Sequence, residues 1–68
     1  MNKYIINRNK DNKGYNEVHI TSCPFKPESY NQVELGYFSN AIEAVKHAKL
    51  LGYNADGCFY CCKEAHKG

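Results

Sequence analysis

Two short segments of the chain carry closely spaced residues of the kind that bind metal ions. Three residues separate His19 from Cys23, and two residues separate Cys58 from Cys61. A structural zinc ion takes four nitrogen or sulfur donors in a tetrahedron, and two close pairs joined by a long insertion can each supply one edge of it. The spacing therefore predicts a zinc site formed by His19, Cys23, Cys58 and Cys61.

Two further donors near the second pair leave the fourth ligand open. Cys62 directly follows Cys61, and His66 lies four residues beyond Cys62, on the same side if this segment is helical. Either residue could serve as a ligand in place of Cys58 or Cys61. The cysteines could also line a core, because a free cysteine behaves as a small hydrophobic residue. Thiolate-rich tetrahedral sites accept iron as well as zinc, so the spacing alone does not choose the metal.

Four cysteines in 68 residues are compatible with either a disulfide framework or a metal site. The chain opens with a very short apolar run, residues 4–6, which predicts neither a secretory signal nor a membrane span. We therefore expect a cytoplasmic protein with reduced thiols, and this expectation favours metal. A chain of this length buries a modest core, which a bound metal would help to stabilise.

Three strands are predicted to precede a helix and to position these donors. Alternating and β-favouring residues identify the strands as residues 3–7, 15–20 and 33–38. In the second strand His19 lies on the opposite face from Val18 and Ile20, because side chains alternate along a strand. Gly36, inside the third strand, predicts a bulge or a close approach of another backbone.

The best-defined element is a helix over residues 41–51. Asn40 is suited to the N-cap position, Glu43 completes a capping box, and Gly52 is a plausible stop. The apolar stripe of this helix consists of Ala41, Ala44, Val45, Ala48 and Leu51. It predicts a helix packed on one face of a small sheet. The predicted fold is thus α+β, with a three-stranded antiparallel sheet, one packed helix (β-β-β-α) and a cysteine-rich C-terminal knuckle or short helix, in a single domain of residues 1–68.

Two loops complete the prediction. Pro24 and Pro27 interrupt regular pairing, so residues 24–32 are predicted to form a loop. Asp56 and Gly57, just before the second donor pair, suit a tight turn in which Gly57 takes a positive φ angle and leaves backbone amides free to point at a sulfur.

The order of these motifs resembles the N-terminal metal-binding domain of Ada-type DNA alkylation-repair proteins over about half of the chain. The residues that carry the resemblance are, in chain order, His19-x3-Cys23, Tyr37-Phe38-Ser39, Glu43-Ala44, Gly52-Tyr53 and Cys58-x2-Cys61. The resemblance implies a zinc scaffold and contact with DNA. In that family the first cysteine of the pattern accepts a methyl group, but His19 stands at this position here. An imidazole is not that nucleophile, so the resemblance extends to the scaffold and not to methyl transfer.

Three functions follow as hypotheses. The first is a zinc-stabilised binding module of unknown protein or nucleic acid partner, with Phe25 and Tyr30 in the proline-containing loop as the candidate contact residues. The second is thiol chemistry at Cys62, as an alkyl acceptor or in redox reactions. The third is DNA binding through the basic residues near one turn, namely Arg8, Lys10 and Lys13, together with Tyr15. The net charge of +2 is spread along the chain, and no constellation of catalytic residues is evident, so we expect no enzyme.

Overall fold

Four β-strands and one α-helix form the fold in the computed structural model, which describes residues 1–68. In chain order the elements are β1 (Asn2–Asn7), β2 (Asn16–Ile20), β3 (Gln32–Phe38), α1 (Ala41–Leu50) and β4 (Ala55–Gly57). Single turns of 3-10 helix lie at Ser29–Asn31 and Lys63–Ala65. The strands form one mixed sheet in the order β3-β1-β2-β4. The predicted α+β class is therefore confirmed, with a different sheet.

The sheet is not the three-stranded antiparallel sheet predicted, because β4 adds a parallel strand to it. β4 pairs with β2 so that Asn16 lies opposite Ala55 and Val18 opposite Gly57. Asn16 is buried, and it anchors the start of β4: its backbone N–H donates to the Asn54 carbonyl oxygen at 2.9 Å, and its side-chain oxygen accepts from the Asn54 N–H at 3.3 Å. Asp56 and Gly57 consequently lie in a strand and not in the tight turn predicted from the sequence.

A β-bulge bends the pairing of β1 with β3. The register shifts between Tyr4, which lies opposite Gly36, and Ile5, which lies opposite Glu34. Gly36 has a φ of 108°, a conformation that residues with a Cβ rarely adopt. Of the two alternatives predicted at Gly36, a bulge or a close approach of another backbone, the structure contains the bulge.

The helix α1 crosses one face of the sheet, because β3 and β4 run in the same direction at opposite edges. Asn40 caps it as predicted, accepting from the backbone N–H of Glu43 at 3.0 Å, and Gly52 follows its end with a φ of 101°. The buried helix residues are Ala41, Ala44, Val45 and Ala48. Leu51, which is predicted to belong to the same stripe, is exposed because the helix ends at Leu50 and the chain turns away.

The two faces of the central strands have different neighbours. Tyr4, Ile6 and Val18 point into the core beneath the helix. Ile5 and His19 lie opposite each other on the other face, and both are nevertheless buried. His19 is thus a titratable side chain held away from water, which is uncommon for histidine in so small a domain.

The single α-helix is too short and too polar to cross a lipid bilayer.

Candidate metal centre

The first donor pair is positioned by the end of β2 and the turn that follows it. His19 is the penultimate residue of β2. The Cys23 N–H then donates to the Ile20 carbonyl oxygen at 3.1 Å, and the Lys26 N–H donates to the Cys23 carbonyl oxygen at 3.2 Å. These two successive turns reverse the chain, so that the Cys23 side chain returns to the His19 imidazole and is buried.

The second donor pair is positioned by β4. The Cys58 N–H donates to the Val18 carbonyl oxygen at 2.9 Å, which is one of the hydrogen bonds of the parallel pairing of Val18 with Gly57. The Cys62 N–H then donates to the Cys58 carbonyl oxygen at 2.9 Å and closes a turn. Cys61 lies within this turn, and its sulfur accepts from the backbone N–H of Ile20 at 3.4 Å. An N–H group aimed at a sulfur stabilises negative charge there.

Gly57 is required for a reason that the sequence did not suggest. Its φ is not positive, contrary to the prediction, and it lies within β4. A Cβ added there would stand 2.6 Å from the Cys62 carbonyl oxygen and 2.9 Å from Ala65. Glycine therefore lets the segment after Cys58 fold closely back over β4.

These elements bring the four predicted ligands together. Ligand atoms of His19, Cys23, Cys58 and Cys61 all lie within 4.8 Å of one another. Within the cluster, the Cys23 and Cys58 sulfurs are 4.0 Å apart, and the Cys61 sulfur is 3.9 Å from His19 Nδ1. With Zn–S bonds of about 2.3 Å and Zn–N bonds of about 2.0 Å, a zinc tetrahedron sets these separations at about 3.8 and 3.5 Å. The four residues are thus positioned to hold a metal ion.

The His19 imidazole is neutral at physiological pH, as a metal ligand must be. Burial lowers its pKa from 6.5 to about 4, because the charged form loses hydration. Its Nδ1 faces the Cys61 sulfur, while its Nε2 lies 3.6 Å from a carboxylate oxygen of Glu17. A carboxylate beside the second ring nitrogen of a metal-bound histidine commonly orients the ring. Glu17 is not among the residues predicted from the sequence, although its i−2 position on the same strand face was the available signal.

The thiol at Cys61 needs a cation to ionise. Burial raises its pKa above the ordinary value, and the nearby sulfurs add to this rise, although the Ile20 N–H opposes it. A buried thiolate is unfavourable without a neighbouring positive charge. A divalent metal supplies that charge, so metal binding and loss of the thiol proton are coupled at Cys61.

The two alternative ligands lie outside the four-donor cluster. The Cys62 sulfur is 3.6 Å from the Cys61 sulfur, but its side chain is fully buried in the apolar core. Burial raises the pKa of Cys62 to about 11, so this thiol is protonated at neutral pH and resembles an inert structural cysteine. His66 Nδ1 lies 2.9 Å from the Gly57 carbonyl oxygen and 3.5 Å from an Asp56 carboxylate oxygen, and the His66 ring contacts Phe59 edge to face.

Three exposed aromatic residues and two exposed lysines lie next to the donor residues in the sequence, and we call this surface the aromatic rim: Phe25, Lys26, Phe59, Tyr60 and Lys63. The Phe25 and Tyr60 rings contact each other edge to face, with centroids 5.1 Å apart. The Lys63 ammonium lies 5.7 Å from the centroid of the Phe59 ring. Phe25 follows the first donor pair in the sequence, and the two other rings lie between the residues of the second pair. Tyr30, the other predicted contact residue, is exposed in the first 3-10 turn.

Comparisons with known proteins do not assign the chain to a family. No protein-family model matches the chain, and no curated protein or solved structure matches it. A cluster of three cysteines and one histidine does not by itself identify an Ada-type domain, so the resemblance noted in the sequence stays a prediction.

Proposed function

We propose that this chain is a small zinc-binding domain in which the metal is structural, and that it acts as a binding module rather than as an enzyme. The observation that carries the proposal is the convergence of four ligand atoms from two distant segments. Three thiols and one imidazole form a donor set typical of structural zinc sites. The neutral state of His19 supports the same assignment, since only neutral imidazole binds a metal.

The donor count favours a structural role over a catalytic one. Four protein ligands complete the tetrahedron of zinc, whereas catalytic zinc sites keep one position open for water or substrate. Cys23, Cys58 and His19 are buried, which restricts access to the metal. Cys62 is equally inaccessible, and its protonated state at neutral pH does not favour the alkyl-acceptor or redox alternative.

A metal at this position would close long loops in a chain with few large core residues. Cys23 and Cys58 are 35 residues apart, and His19 and Cys61 are 42 residues apart. The buried helix residues are three alanines and one valine, which contribute little apolar area. Metal-binding free energy would then be folding free energy, as in other small metal-dependent domains.

The binding function is inferred from the surface that such a metal would order. The aromatic rim exposes large apolar side chains beside a rigid centre, and clustered exposed aromatics commonly mark interaction sites. The partner proposed is a protein or a nucleic acid, with Phe25 and Tyr60 as its first contacts.

Metal content and chelation test the proposal. Protein purified under reducing conditions without added metal is analysed by native mass spectrometry, and its far-UV circular dichroism is recorded before and after a chelator. We expect one zinc ion per chain and loss of the fold on chelation, with recovery on adding zinc. Iron in place of zinc would overturn the choice of metal, and a metal-free protein with an unchanged spectrum would overturn the structural site.

A further inference from the structure

We propose that the aromatic rim binds single-stranded nucleic acid by stacking bases on its rings, an inference that rests on the proposed metal site because a metal bound by both donor pairs would hold the two halves of the rim together. The basic turn that suggested DNA binding in the sequence lies elsewhere, between β1 and β2. The rim is a separate surface with different chemistry.

Ring exposure is the first observation behind this inference. Phe25 is 65% exposed, and Phe59 and Tyr60 are each 63% exposed. Burying these rings in the core would have stabilised the fold, because burial of apolar surface lowers the free energy of the folded state. Phe25 and Tyr60 contact each other edge to face, which favours one relative orientation of the two rings. A pre-ordered exposed ring can accept an unpaired base on its face, because every base has a π surface.

Charge is the second observation. Lys63 lies over the Phe59 ring and Lys26 directly follows Phe25, and no ion pair with a carboxylate is formed by either ammonium. The nearby Glu64 is directed elsewhere, since its carboxylate accepts from the Ala41 N–H at the start of α1 at 3.2 Å. The rim therefore presents two unneutralised positive charges beside its rings, as a phosphate backbone requires.

This combination favours a single strand over the other macromolecular partners. Lysine is depleted from the cores of protein–protein interfaces, whereas it is regularly interleaved with aromatic rings where single strands bind. In a duplex the bases are stacked on each other and are not available to a projecting ring. We therefore expect duplex DNA to bind more weakly, through phosphate contacts alone.

The test uses zinc-loaded full-length chain and fluorescence anisotropy with labelled 12-nucleotide oligothymidine, oligouridine and a random duplex at 50 and 200 mM salt. We expect Phe25→Ala and Tyr60→Ala each to weaken single-strand binding by about 5- to 150-fold, the loss typical of one stacked base. Lys63→Gln should reduce the slope of log affinity against log salt by about 0.7.

Tyr37→Ala is the matched control. Tyr37 is also 65% exposed and also lies near a lysine, with Lys3 5.9 Å from its ring, but it belongs to β3 at the sheet edge opposite β4. Its substitution should leave binding unchanged. A loss equal to that of the rim variants would overturn the location, and duplex binding as tight as single-strand binding would overturn the stacking mechanism.

The metal content and circular dichroism of each variant separate this inference from the one it rests on. Wild-type chain that contains zinc and is folded but does not bind either oligonucleotide at 50 mM salt would overturn single-strand binding and leave the metal site standing. Rim variants that keep zinc, the fold and wild-type affinity would overturn the rim as the binding surface and would also leave the metal site standing. Wild-type chain without metal would overturn the proposed metal site itself.

Discussion

Substituting the adjacent residues Cys61 and Cys62 in turn distinguishes a metal ligand from a buried thiol. The two sulfurs are only 3.6 Å apart, but only the Cys61 sulfur belongs to the four-donor cluster. Structural zinc contributes about 10–16 kcal/mol in small domains at pH 7, so an equal share for one of four donors is about 2.5–4 kcal/mol. Cys61→Ala is therefore expected to weaken zinc binding by about 10²- to 10³-fold.

Cys62→Ala is expected to act on packing and not on metal affinity. Its side chain has no exposed surface, and loss of one buried heavy atom costs about 1 kcal/mol. In a chain of this size that corresponds to a decrease in Tm of about 4–8 °C. Zinc affinity should remain within about threefold of the wild type, because no ligand is lost.

The assay is competition for zinc against a chromophoric chelator, combined with thermal unfolding of the zinc-loaded proteins. The double variant, with alanine at both positions, shows whether Cys62 replaces Cys61 when Cys61 is absent. A large loss of zinc affinity in Cys62→Ala together with wild-type affinity in Cys61→Ala would refute the ligand assignment. Wild-type affinity in all three variants would show that neither cysteine binds the metal.

Three further predictions concern the elements that build the site. Gly57→Ala should lower the free energy of unfolding of the zinc-loaded protein by about 1–3 kcal/mol, because the new Cβ would stand 2.9 Å from Ala65. Urea unfolding measures this, and an unchanged urea midpoint would contradict the close packing. Asn40→Ala should lower stability by about 1 kcal/mol through loss of the helix cap without altering zinc affinity, which the same unfolding and chelator experiments measure. Zinc affinity should fall as pH decreases below 7, because the metal-free chain is expected to unfold, and protons then compete with zinc for the thiols and for a solvated His19 imidazole with a pKa of about 6.5. Chelator competition between pH 5 and 7.5 measures this, and a wild-type curve without a break near pH 6.5, or the same break in His19→Cys, would contradict it.

Much of the architecture was determined by short-range features of the sequence. The cap at Asn40, the stop at Gly52 and the small apolar residues between them specify α1 within one or two residues, because capping and helical periodicity are local interactions. The bulge at Gly36 follows from the conformational freedom of glycine inside a strand. The three residues between His19 and Cys23 likewise suffice to predict one donor pair, because a single turn of backbone can bring both side chains to the same point.

Only the tertiary structure decided how the last part of the chain joins the rest. β4 has three residues, includes Asp56 and Gly57, and lacks any alternating pattern, so its strand conformation depends on pairing with the distant β2. That pairing places Cys58 beside β2, and the turn after it brings the Cys61 sulfur into the four-donor cluster while the Cys62 side chain is buried in the core. Residue types and spacing select the candidates for a metal site, but the direction of each side chain depends on backbone turns that long-range contacts set.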